Sequence, residues 1–155
     1  MKFLLDISVL IVSFFLMWKF KTQITDYLFK KASFSGYKLS LLVSIPLILI
    51  EESINTNDHG LIISLVIIFI LIVQMALLLW LSSVFKVSSV KWPLLVYMIF
   101  GTSWELTIGG LTGIFAQPLP FAIFMVFFYV PLSYAYFALI PLNLLTYKEQ
   151  TKLTK

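Results

Sequence analysis

Three glutamates, Glu51, Glu52 and Glu105, stand inside long apolar stretches of this sequence, as does Asp6 near its start. A carboxyl group at membrane depth costs about 3 kcal/mol on insertion scales unless it meets a partner, water or a bundle interior. Carboxyl groups kept there hold protons, bind cations or act as general acids and bases. No lysine, arginine or histidine lies within the same apolar stretches. The expected counter-charge is therefore a proton, water or a cationic guest.

The neighbours of these acids fit that chemistry. Trp104 precedes Glu105 and offers a ring face to a cation. Asn55, Gln74 and Tyr134 add neutral polar groups, which completes a candidate ligand- or ion-binding set of Glu51, Glu52, Asn55, Gln74, Trp104, Glu105 and Tyr134. Gly101, Glu105, Gly109 and Gly113 recur every four residues, placing Glu105 on a small-residue stripe that another helix can approach closely. Ser44, Glu51, Asn55 and Asp58 fall on one flank of a second helix, with Glu52 and His59 on the neighbouring flank. Pro46 removes a backbone hydrogen bond to Leu42 and permits a kink just before the acids. A cleft between these two helices is expected. Plainer readings exist: Glu105 as a packing acid bonded to Gln74 or Tyr134, Glu51 and Glu52 as interfacial, Trp104 as lipid-facing, and His59 as solvated.

The elements that must position these groups follow from composition. Of 155 residues, 61% are hydrophobic and 12% charged, against roughly 25% charged in soluble domains. The pattern predicts an all-α, polytopic transmembrane bundle in one domain, 1–155, with five spans near 3–18, 39–57, 61–85, 93–115 and 119–145. Residues 19–38 hold five lysines with apolar residues at near-helical spacing, and read as a cytoplasmic amphipathic loop at the membrane surface or as a solvated continuation of span one. The first span contains Asp6 and lacks a small-x-small cleavage site after it, so it is not read as a cleaved signal.

Lysines sort the topology. Five crossings place Lys19, Lys21, Lys30, Lys31, Lys38, Lys86, Lys91, Lys148, Lys152 and Lys155 on one side and Lys2 alone on the other. Positive residues mark the cytoplasmic side, so the N-terminus is expected outside and the C-terminus inside, in a cell membrane of bacterial cytoplasmic type. Counted from the inner boundary, Glu51 and Glu105 each lie twelve residues into their spans, roughly 18 Å up a hydrocarbon layer about 30 Å thick. Asp6, Gln74 and Tyr134, counted back from the inner ends of their spans, are expected at the same level.

Absent cysteine excludes disulfides, thiolate metal sites and thiol redox chemistry, and no metal site is expected. No cofactor is indicated. All eleven basic residues are lysine, which argues against nucleic-acid binding and against an arginine clamp for phosphorylated headgroups. The expected partners are the lipid bilayer, a small cationic or lipidic ligand, and a membrane protein partner or a second copy of the chain.

Trp104-Glu105, Gly109-Gly110 and Leu119-Pro120-Phe121 are similar in rhythm to membrane-bound carotenoid cyclases. That family carries paired glutamates directly after such a proline, whereas Phe121 and Ala122 follow here, and Glu51-Glu52 lies in another span; the chain is not assigned to it. Three functions fit the residues: transport or binding of a cation, amine or protons; a membrane enzyme using a glutamate acid/base on an apolar lipid or isoprenoid; and an accessory subunit of a membrane complex.

Overall fold

The computed structural model describes residues 2–32, 36–55, 61–109 and 111–153, with side chains described over 7–32, 36–53, 64–109 and 111–146. Every element among the described residues is helical. Four long helices come first: α1 (Lys2–Lys31), α2 (Gly36–Asn55), α3 (Leu61–Val84) and α4 (Lys91–Thr107). A 3-10 turn at Ile114–Ala116 leads to α5 (Leu119–Phe124), a π-turn (Met125–Tyr129) and α6 (Val130–Leu153), which form one continuous helical run.

Three segments are long and apolar enough to cross a membrane: Ile7–Lys31, Ser64–Val84 and Leu119–Thr146. The other two long helices carry the acids. α4 has seventeen residues, about 25 Å at 1.5 Å per residue, and α2 includes Lys38, Glu51 and Glu52.

α6 is the central post. All its residues from Ser133 to Leu142 are buried, including Phe137, Leu139 and Leu142. A helix apolar on every side must be covered on every side, and α1, α2 and α4 all pack along it. Ala135 and Ala138, both fully buried, allow that close approach. α3 packs chiefly on α2 and turns Leu65, Phe69, Leu77 and Trp80 outward. In a membrane that face meets lipid.

Side-chain pairings give the helix directions. Tyr97 stacks near Phe137 while Gly101 and Glu105 lie against Tyr134, so α4 runs antiparallel to α6. Leu39 clusters with Ile140 and Leu144 while Glu51 lies near Tyr134, so α2 does likewise. The Asn143 amide donates to the Thr25 hydroxyl (2.7 Å) and the Lys21 carbonyl (3.3 Å), and Ser13 lies beside Tyr136, so α1 runs parallel to α6.

One open alternative is decided by the helix boundaries, and one boundary differs from the sequence expectation. α1 runs unbroken from Lys2 to Lys31, so residues 19–31 continue the first helix; no glycine or proline interrupts them. Lys21 and Lys31 lay their ammonium groups over the Trp18 and Tyr27 rings. α4 ends at Thr107, where a span to Phe115 was expected. Its last carbonyls turn to a non-helical cap: the Ile108 and Gly109 amides donate to Trp104 O, and the Leu111 amide to Glu105 O. Thr107 adds a hydroxyl bond back to Ser103 O (2.8 Å), the competition by which Thr weakens a helix end.

The π-turn has a local cause. Pro131 lacks an amide hydrogen, and its ring would collide with the carbonyl four residues earlier in a regular helix. Widening the turn at Met125–Tyr129 relieves that collision without breaking the run. α3 closes on Lys86, whose φ of 48° lies in the left-handed region. The Val87 and Lys86 amides bond back to Ser82 O and Ser83 O, the paired bonds of a Schellman cap.

Candidate functional site

The site is built on Tyr134, one turn into α6. α4 reaches this ring because position 101 is glycine: a β-carbon there would overlap the ring atoms of Tyr134. One turn further along α4, Glu105 accepts a hydrogen bond from the Tyr134 hydroxyl at 3.1 Å. One turn back, Tyr97 sets its ring edge-on to Tyr134 at 5.4 Å and to Phe137 at 5.8 Å. Tyr97, Gly101 and Glu105 thus form a single stripe at four-residue spacing, facing α6.

The Glu105 side chain folds toward the C-terminal end of its helix. Its Oε2 occupies the space that a β-carbon on Gly109 would need. The carboxyl group therefore sits where the carbonyl ends of α4 gather and the helix dipole is negative, a position that favours a cation. Glu105 and Trp104 are both half-buried. The Trp104 carbonyl is engaged in the helix cap.

α2 supplies the second carboxylate. α2 continues past Glu51 and Glu52 to Asn55, and the two acids are 4% and 7% exposed within the bundle. Glu51 lies within electrostatic reach of the Tyr97, Tyr134 and Tyr136 hydroxyls. Glu105 is the carboxyl group bonded to the pair, and Glu51 acts on it through the field. α2 and α4 meet principally through α6, which both pack along, so the expected cleft between them is occupied at this level by the tyrosine rings.

Two further polar groups belong here. The Tyr97 hydroxyl and the Ser133 hydroxyl are buried with no hydrogen-bond partner. A buried hydroxyl without a partner loses about 1–3 kcal/mol of solvation, which a ligand or ordered water would return. The sequence reading did not single out Tyr97, although it extends the Gly101–Glu105 stripe by one turn.

The remaining candidates lie apart. Gln74 has both side-chain polar atoms buried and unpartnered, yet it is two residues from Ala76, whose carbonyl receives the Tyr37 hydroxyl at the start of α2. Gln74 therefore lies toward the Tyr37 end of α2, and Tyr37 stands fourteen residues before Glu51 on that helix. Asn55 ends α2, and its side chain lies outside the described residues, as do Asp6, Asp58 and His59. Among the described residues no three His, Cys, Asp or Glu side chains gather as a metal-ligand group. Comparison with known proteins returned no match: no family model, no curated protein and no solved structure is significantly similar to this chain.

Proposed function

We propose that this chain is a small multi-pass protein of a cell membrane, crossing five times with its N-terminus outside, that binds or transports a cation, an amine or protons at the carboxylates around Tyr134. The observation that carries the reading is the Glu105 carboxyl group bonded to the Tyr134 hydroxyl at 3.1 Å, with the buried and unpartnered Tyr97 hydroxyl on the ring packed edge-on to Tyr134; the buried Glu51 of α2 lies within electrostatic reach. Segments 39–85 and 92–147 contain no lysine or arginine, so neither α2–α3 nor α4–α6 supplies an internal ammonium or guanidinium group. The negative end of α4 adds to the attraction for a positive guest. Helix C-terminal ends and buried carboxyl groups are the usual means of holding sodium ions or protons at membrane depth.

The reading is tested in liposomes reconstituted with the purified protein and loaded with a pH-sensitive dye, under imposed sodium, potassium or methylammonium gradients. The wild type should give a cation-dependent signal, and Glu105→Gln and Glu51→Gln should each reduce it at least about tenfold while retaining helical content. If both variants match the wild type under every gradient, the carboxylates have no such role.

A further inference from the structure

Lysines collect at one end of the bundle. The Asn143 amide on the Lys21 carbonyl sets the level of α1 against α6, and Leu39 clusters with Ile140 and Leu144, so Lys19, Lys21 and Lys38 stand beside the C-terminal half of α6. Lys91 lies six residues before Tyr97, which packs on Phe137, and so about 9 Å further toward the same end. Ten of the eleven lysines belong to this end, against two acids, Asp26 and Glu149. The Oδ1 atom of Asp26 is buried with no hydrogen-bond partner, so it answers none of the exposed lysines.

The second half of α1 presents these charges on one face. Thr25 is fully buried against Asn143, and Ile24, Leu28 and Phe29 pack on the cluster of Leu39, Ile140 and Leu144. The opposite face carries Lys19, Gln23, Tyr27 and Lys30 at intervals of three and four residues, edged by Phe20 and Lys31, and all six are exposed. Lys19 and Lys31 set their ammonium groups 5.5 and 5.1 Å from the centres of the Phe20 and Tyr27 rings. Facing water alone, this surface would leave two aromatic rings, 41% and 57% exposed, without apolar cover. At the boundary between headgroups and acyl chains, the rings meet the upper hydrocarbon and the ammonium groups reach the phosphates.

We propose that this face of α1 binds the phosphodiester headgroups of anionic phospholipids, holding them beside the bundle at its lysine-rich end. The proposal rests on the membrane reading above and is independent of the carboxylates around Tyr134. Charge complementarity selects the occupant: Lys19, Lys30 and Lys31 share the face with no acid, so they attract an anionic surface and are indifferent to a zwitterionic one. Each lysine close to such a surface strengthens the attraction about fivefold. Lysine offers a point charge rather than the planar fork of arginine, so the preference is for net negative charge and not for one headgroup shape.

The chain has no cysteine, so Gln23→Cys carries a single bimane label on this face, and Phe69→Cys, at a site 67% exposed on α3, carries one elsewhere on the bundle surface. The full chain is placed in phosphatidylcholine nanodiscs containing the same minor fraction of either phosphatidylglycerol or phosphatidylcholine brominated in the upper acyl chain. Brominated phosphatidylglycerol should quench the label at position 23 about threefold more than brominated phosphatidylcholine does, and the label at position 69 should be quenched equally by both. Lys19→Gln, Lys30→Gln and Lys31→Gln together should abolish the preference, as should about 1 M sodium chloride, where the screening length falls to about 3 Å. Lys86→Gln with Lys91→Gln, beyond α3 and at the start of α4, should leave it, and so should inorganic phosphate at matched ionic strength. Equal quenching at position 23 by the two lipids overturns the proposal. So does a preference that the Lys86 and Lys91 substitutions lower as far as the triple substitution does, because the lysines would then act as a diffuse field, or one that inorganic phosphate removes. If neither lipid quenches the label at position 69, the membrane reading itself fails.

Discussion

Two polar clusters are packed against α6, and they are built on opposite principles. Toward its C-terminal half, Asn143 donates both to the Thr25 hydroxyl and to the Lys21 carbonyl of α1. Thr25 is fully buried, and the groups in this cluster are neutral and matched donor to acceptor. Two turns earlier, Tyr134 and Tyr97 sit among carboxyl groups from α2 and α4, and the Tyr97 and Ser133 hydroxyls lack partners. A satisfied neutral network costs little and holds helices together. A cluster with acids and open hydroxyls weakens the fold unless something binds there. The difference separates a satisfied packing contact from a cluster with open hydroxyls within one helix.

Substitutions should expose that division most plainly in function. Glu105→Gln keeps an oxygen for the Tyr134 hydroxyl and removes the charge, so cation-dependent flux should fall at least about tenfold while unfolding stability shifts by less than about 1 kcal/mol. Asn143→Ala should do the reverse. Matching losses of flux in the two variants would erase the distinction.

Gly101→Ala should produce the largest loss of stability. Alanine gains about 1 kcal/mol in helix propensity, but its methyl group would overlap the Tyr134 ring. Overpacking costs typically 1–3 kcal/mol, and here the ring is held between Tyr97, Phe137 and Glu105. A net loss of about 1–2 kcal/mol is expected in denaturant titration, with flux reduced as well because Tyr134 is displaced from Glu105. A neutral result would mean that α4 can slide on α6.

Asn143→Ala comes next, with a loss of about 1 kcal/mol, near the average for interhelical hydrogen bonds in membranes. Cation-dependent flux should remain at the wild-type level. A tenfold loss of flux would show that the Thr25–Asn143 contact belongs to the working machinery.

The fold was legible where periodicity and charge are strong. Long apolar runs make the α3 helix unmistakable, and the four-residue step from Gly101 to Glu105 located the close approach of α4. Residues 19–31 left two readings open, because lysines after Trp18 mark an interface by composition while nothing there stops a helix, and α1 continues. One boundary was not legible. Gly109 and Gly113 look like a packing stripe in sequence, yet α4 ends before them, because the Ile108, Gly109 and Leu111 amides turn back to cap its last carbonyls. At the site, the reading of Glu105 as an acid bonded to Tyr134 matches the structure, whereas Gln74 lies toward the Tyr37 end of α2, since equal counts from span ends ignore how helices stagger. Tyr97 escaped notice because a tyrosine in an apolar run has no charge to explain; only its buried, unpartnered hydroxyl marks it.

Tyr97→Phe carries the smallest expected change in stability and the sharpest discrimination between the two clusters. The substitution removes one oxygen and leaves the ring contacts with Tyr134 and Phe137 in place. For a satisfied hydroxyl, that deletion costs about 1 kcal/mol. For a buried hydroxyl without a partner it should be neutral or stabilising by up to about 1 kcal/mol, since the desolvation cost goes with the oxygen. If Tyr97 serves the ligand, stability measured without cation should hold or rise while flux falls. Lower stability with unchanged flux would make Tyr97 a packing residue like Asn143 and leave the carboxylates to act alone.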